Sequence, residues 1–134
     1  MKTLFVFIIT ILIAASTSAF ADPVGVYHVE GTNPSGSGTY SGEVSVARNG
    51  ETYTVVWLVG GAEFVGTGLG ATSINGSMVM GAADENNITL SVSYVSNNSF
   101  GLAFFVEQDN GQWKGIWTYG GSKRIGTEVW TPMQ

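Results

Sequence analysis

The feature that most constrains this chain is a pattern used twice. Tyr53-x-x-x-Trp57-x-x-Gly60-Gly61-x-x-x-x-Gly66-Thr67 recurs as Trp113-x-x-x-Trp117-x-x-Gly120-Gly121-x-x-x-x-Gly126-Thr127, displaced by 60 residues with no gap. Flanking positions agree as well: Val56 matches Ile116, Val65 matches Ile125 and Leu69 matches Val129. Each copy follows an Asn-Gly pair, Asn49-Gly50 and Asn110-Gly111, and the copies differ by one residue just after it. Asn-Gly and Gly-Gly accept the positive φ of the tight hairpin turns whose twist matches that of the strands they join. Each copy therefore reads as a three-stranded antiparallel meander: one strand ending at Asn-Gly, a second carrying the tryptophan, a third entered through Gly-Gly.

Alternation assigns faces to these strands. In the second strand Tyr53, Val55, Trp57 and Val59 share the inward side, answered in the duplicate by Trp113, Gly115, Trp117 and Tyr119. In the first strand Tyr40, Val44 and Val46 are expected inward, with Phe100, Leu102, Phe104 and Val106 as their counterparts. In the third, hydrophobicity selects Val65, Thr67 and Leu69, then Ile125, Thr127 and Val129. An opening strand with Tyr27 and Val29 inward, a clean alternation of Ile88, Leu90, Val92 and Tyr94, and a short strand from Met78 to Ala82 complete the set. No stretch after the first 21 residues repeats apolar residues at helical spacing, and nineteen glycines suit many short strands joined by tight turns. The expected fold is all-β, an up-and-down meander of eight or nine strands closed into a small barrel, because closure removes exposed edges. A two-sheet β-sandwich is the alternative. Segments 33–38, 84–87 and 96–99 would lie on the rims.

The start of the chain reads as a secretory signal peptide: Lys2, an apolar run from Leu4 to Ala15, and small residues at Ala19 and Ala21. The run is shorter than the roughly 20 residues that span a bilayer, so cleavage and not stable membrane insertion is expected. Residues 22–134 then form one domain, placed in the periplasm or outside the cell. That compartment permits disulfides, yet the chain has no cysteine, which excludes a thiolate nucleophile and a thiolate zinc site. Beyond Lys2, four basic residues face ten acidic ones, a formal charge of −6, which opposes nucleic-acid binding. Lys114, Lys123 and Arg124 are near in sequence and could make one local positive patch.

Reactive constellations are sparse. His28 is the single histidine, expected on the outer face with no companion for catalysis or metal binding. Asp84-Glu85 and Glu107 with Asp109 offer carboxylate pairs, but both adjoin turns, where acids solvate or cap the backbone. No catalytic residue, metal site or cofactor is therefore assigned. Glu128 breaks the internal symmetry, standing where the first copy has Gly68, and alternation from an inward Thr127 sends it outward beside Arg124. Asn75, Asn87 and Asn97 fit the N-glycosylation acceptor pattern. The candidate ligand-binding residues are the aromatic set Tyr27, Tyr53, Trp57, Trp113 and Trp117. These rings either line a ligand cavity at the mouth of the barrel or fill its interior.

Gly25-Val26-Tyr27, Asn33-Pro34-Ser35-Gly36, Tyr40-Ser41-Gly42, Tyr53-Thr54-Val55-Val56-Trp57 and the closing stretch 117–128 resemble a family of small exported bacterial proteins known as fibronectin-binding proteins. The resemblance covers nearly all of residues 22–134 and departs from the family at 71–87. It implies adhesion to a host matrix protein, with no site motif to place on particular residues. At the level of fold alone, a Gly-x-aromatic first strand and a meander are similar to avidins and lipocalins. The expected function is thus an exported, non-enzymatic binding module, with rim loops for a protein partner or the barrel mouth for a small ligand. A carboxylate-based extracellular hydrolase is the alternative from another class, and a purely structural role is a third.

Overall fold

The computed structural model describes residues 22–134, and the expected signal segment, 1–21, lies outside the described residues. Nine strands follow one another: β1 (Gly25–Thr32), β2 (Thr39–Asn49), β3 (Thr52–Val59), β4 (Ala62–Ile74), β5 (Ser77–Gly81), β6 (Thr89–Ser96), β7 (Ser99–Glu107), β8 (Trp113–Tyr119) and β9 (Gly126–Pro132). Every pairing is antiparallel. The order runs β3-β2-β1-β9-β8-β7-β6-β4, and β3 pairs with β4 to close eight strands into a barrel. β5 stands outside the ring as a hairpin on the tail of β4.

The barrel has two unlike ends. Gly60 and Gly61, at φ 58° and 74°, make the two-residue turn from β3 to β4 at one end, together with the loops 33–38 and 120–125. At the other end, segment 84–87 folds across the interior. There the Tyr53 hydroxyl lies 2.7 Å from Asn87 Oδ1, and the Asp84 N–H donates to Tyr53 Oη at 3.0 Å. Tyr27 donates its hydroxyl to the Pro23 carbonyl at 2.7 Å, and Pro23 itself is fully buried. This end is plugged. Between the ends, Trp113, Trp130, Tyr53, Phe105, Leu90 and Val29 are fully buried, each large side chain contributing about 2–3 kcal/mol of transfer free energy.

Several inward assignments are overturned. On β7 the inward residues are Gly101, Ala103 and Phe105, whereas Phe100, Leu102, Phe104 and Val106 point out, with Phe100 61% exposed. On β4 glycines 66, 68 and 70 face in and Val65, Thr67 and Leu69 face out. On β9 Gly126, Glu128 and Trp130 are buried, and Ile125, Thr127 and Val129 are not. Tyr119, too, stays exposed.

One packing rule explains these reversals. A barrel of eight strands has too little room for a ring at every inward position, and five of the inward rings each lie over a glycine directly across a neighbouring strand. Tyr40 faces Gly31, Tyr53 faces Gly68, Tyr94 faces Gly101, Phe105 faces Gly115 and Trp117 faces Gly126. A Cβ on Gly101 would meet the Tyr94 ring at 2.0 Å, and one on Gly115 the Phe105 ring at 2.2 Å. Glycine carries no hydrophobic signal, so the apolar residues beside it draw the alternation to the wrong face.

The two copies also close differently. In the first, Val59 pairs with Ala62 and Trp57 with Phe64. In the second, Trp117 pairs with Gly126, two residues later than the 60-residue displacement gives. The connection from β8 to β9 is correspondingly longer, and Lys123 and Arg124 sit in it. Lys114 lies near the plugged end of β8, so the three cations form no single patch.

Candidate functional site

Glu128 is the residue whose position changes most between expectation and structure. On β9 it is paired with Gly31 of β1 on one side and Gly115 of β8 on the other. These two glycines let the Tyr40 and Phe105 rings close in on either side of Glu128, and only 5% of it is exposed. Oε1 accepts the indole N–H of Trp57 at 2.7 Å and that of Trp130 at 2.5 Å. Oε2 accepts the Tyr40 hydroxyl at 2.5 Å. Strands β2, β3 and β9 are thereby tied to one carboxyl group.

Burial pushes the Glu128 carboxyl above its ordinary range, and the three donated hydrogen bonds pull against that shift. Burial and the adjacent carboxylate together drive the Tyr40 phenol far above the ordinary phenol range, and the same two causes raise Tyr94. No cation among the described residues pairs with the carboxylate. Among the described residues the ion pairs are Arg48 with Asp22 and His28 with Glu30, both at the exposed surface.

Above Glu128, towards the Gly60-Gly61 turn, the barrel opens into a cavity of about 360 Å³. Its walls are rings from five strands: Tyr40, Trp57, Phe64, Tyr94 and Trp117. Tyr94 stands edge-on to Phe64 at 5.7 Å between centroids and is tilted against Trp57 at 5.8 Å, while Tyr40 and Trp117 meet edge-to-face at 6.0 Å. The Trp117 indole donates to the Thr32 carbonyl at 3.2 Å, which fixes its ring at the rim. Aromatic faces, an aliphatic side at Val59 and one buried carboxylate make the cavity mostly apolar with a single strong acceptor.

The five aromatic candidates divide. Trp57 and Trp117 line the cavity, whereas Tyr27, Tyr53 and Trp113 are buried in the packed core and are not among the cavity residues. The rings are thus divided between a cavity wall at one end of the barrel and a packed interior at the other. Glu128, Phe64, Tyr94 and Tyr40 join the site without having been assigned to it. The signal that marks Glu128 is present in the sequence: it occupies an inward glycine position of the first copy, once the register of the Gly60-Gly61 hairpin is followed.

Other candidates disperse. No protein-family model and no curated protein matches the chain. His28 lies on the outer face, 3.8 Å from Glu30. Asp84-Glu85 and Glu107 with Asp109 fall at the plugged end, away from the cavity, where Glu128 is the one carboxylate among the lining residues. Asn87 is buried, with its amide donating to Thr72 Oγ1 at 2.9 Å, and so is closed to glycosylation as the barrel stands. Among the described residues no group of three His, Cys, Asp or Glu side chains could hold a metal ion.

Proposed function

We propose that this is an exported, non-enzymatic binding protein that takes a small organic ligand into the open end of its barrel. The observation that carries the reading is the 360 Å³ cavity walled by aromatic rings over a buried carboxylate. Volumes of about 300–1,000 Å³ with apolar walls and few convergent polar groups are typical of small-ligand sites. The hydrolase alternative needs two carboxyl groups about 5–10 Å apart across the cleft, and the cavity offers Glu128 alone. Indole N–H resonances test the reading in a titration with a fragment collection. Ligands at the open end shift the Trp57 and Trp117 signals and leave Trp113 in place; shifts confined to other tryptophans, or none at millimolar fragment, count against it.

A second reading, adhesion to a protein partner, is favoured by the outer wall, where Phe100, Leu102, Phe104 and Val106 line up along β7. Immobilised fibronectin tests it: saturable binding abolished by Leu102→Asp supports the reading, and the absence of binding removes it.

A further inference from the structure

The Glu128 carboxylate is buried, yet none of its partners is charged: two indole N–H groups and one phenol. Proteins seldom leave an ionised carboxylate in a low-dielectric interior without a counter-charge, because its desolvation is costly and neutral donors recover only part of that cost. A carboxylate has about four acceptor positions, two on each oxygen. Trp57 and Trp130 occupy those of Oε1, and Tyr40 takes one on Oε2. One position on Oε2 is left, on a residue that lines the cavity.

The walls carry the same sign preference. Aromatic faces present negative quadrupole potential, and a cation over Trp or Tyr within about 6 Å of the ring is attracted to it, the more so when desolvated. Tyr40, Trp57, Tyr94 and Trp117 surround the space above the carboxylate. The cations nearest the rim in sequence, Lys123 and Arg124, line a separate surface groove beside loop 33–38, where Arg124 donates to the Ser35 carbonyl at 3.4 Å. They supply no counter-charge to Glu128.

We infer that the ligand is a protonated amine, with its N–H donating to Glu128 Oε2 and its positive charge enclosed by the aromatic walls. This rests on the open-end cavity being a ligand site. The protein carries a net charge of −5, which favours approach of such a ligand to the mouth. An organic anion is disfavoured by the same carboxylate, and a neutral ligand would leave it without a counter-charge.

Benzylamine and benzyl alcohol provide the test, because they share size and ring and differ in charge at neutral pH. Binding of each to the purified protein is measured by calorimetry, with indole N–H shifts to locate it. The expected result is benzylamine binding at least tenfold tighter than benzyl alcohol, both shifting Trp57 and Trp117. In Glu128→Gln the advantage of the amine over the alcohol is lost. Equal or tighter binding of the alcohol to the unaltered protein overturns the amine assignment and leaves the cavity as a site for neutral ligands. If neither compound binds at millimolar concentration, the small-ligand reading fails with it. The comparison on the unaltered protein stands even if Glu128→Gln does not fold.

Discussion

Replacing Glu128 by leucine removes the acceptor on which three strands converge. The indole N–H groups of Trp57 and Trp130 lose their only acceptor in the described structure, and Trp130 is fully buried. A buried donor left unpaired costs about 1–3 kcal/mol, so the two indoles together account for about 2–6 kcal/mol. The Tyr40 hydroxyl is part-buried at the cavity and can turn to water, so it adds little. Relief of the buried charge offsets part of the loss, which places the net destabilisation of Glu128→Leu at about 2–4 kcal/mol, a large share of a typical 5–15 kcal/mol. Glu128→Gln keeps an oxygen for the indoles and offers an amide N–H to Tyr40, so its loss is about 1 kcal/mol or less. Urea unfolding followed by tryptophan fluorescence at pH 7 measures both. Equal losses in the two variants, or less than about 1 kcal/mol for leucine, would refute the reasoning that paired donors hold this end together. The pH dependence has a definite sign. Because the folded carboxyl titrates above its ordinary value of 4.5, its contribution is fully present below that pH. It is lost as pH rises through the raised folded value. The Gln variant lacks this dependence, so its stability relative to the unaltered protein improves as pH rises over that window.

Three further outcomes test the fold. Phe105→Ala, at a fully buried ring, costs about 3–5 kcal/mol in urea unfolding, whereas Phe104→Ala on the outer wall costs about 1 kcal/mol or less; similar values would mean that the faces of β7 are reversed. Gly115→Ala sets a Cβ 2.2 Å from the Phe105 ring and loses about 1–3 kcal/mol, while Gly81→Ala meets open space and changes stability by under about 0.5 kcal/mol. Burial pushes the Tyr27 phenol to about 12 from an ordinary value of 10.0. Its contribution to stability is present below pH 10 and is lost as pH rises towards 12, and Tyr27→Phe removes that part of the alkaline loss in thermal unfolding.

The strand content was legible because the duplicated turns and the period-two alternation are local. The Gly-Gly turn between β3 and β4 falls where the sequence puts it, whereas the turn after Asn49 forms at Gly50-Glu51, since Asn49 still pairs with Thr52. Closure into a barrel also follows from short connections and the need to cover edges. Faces were harder. On β3 the inward residues are also the most apolar ones, so Tyr53, Val55 and Trp57 read correctly. On β4, β7 and β9 small residues face in, so hydrophobicity and inwardness part company. The two-residue hairpin could have corrected β4, since Val59 opposite Ala62 obliges Gly68 to share the face of Tyr53. The same reasoning carries to β9, because a register displaced by two residues keeps every side chain on its face and gives Glu128 the inward place of Gly68, but the apolar Ile125 and Val129 draw the inward choice to the other face. Glu128 was therefore recognised as the point of asymmetry but sent to the wrong side. Its partners come from β2, β3 and β9, and a contact between Trp57 and Glu128, 71 residues apart, has no local signature.

The seam between β1 and β9 bears on the order in which the molecule can be made. Thr32 and Thr127 join their hydroxyls at 2.9 Å across it although 95 residues separate them. A chain threaded or synthesised from its N-terminus can form the β1–β4 meander early, but it cannot shut the ring until β9 arrives, and such distant pairings are the slow ones. β9 brings Glu128 and Trp130 with it. The last strand to dock is thus also the one that supplies the floor of the cavity, so a partly assembled barrel has no site to offer. Any occupant that holds Glu128 favours the sealed ring over every earlier species on the way to it.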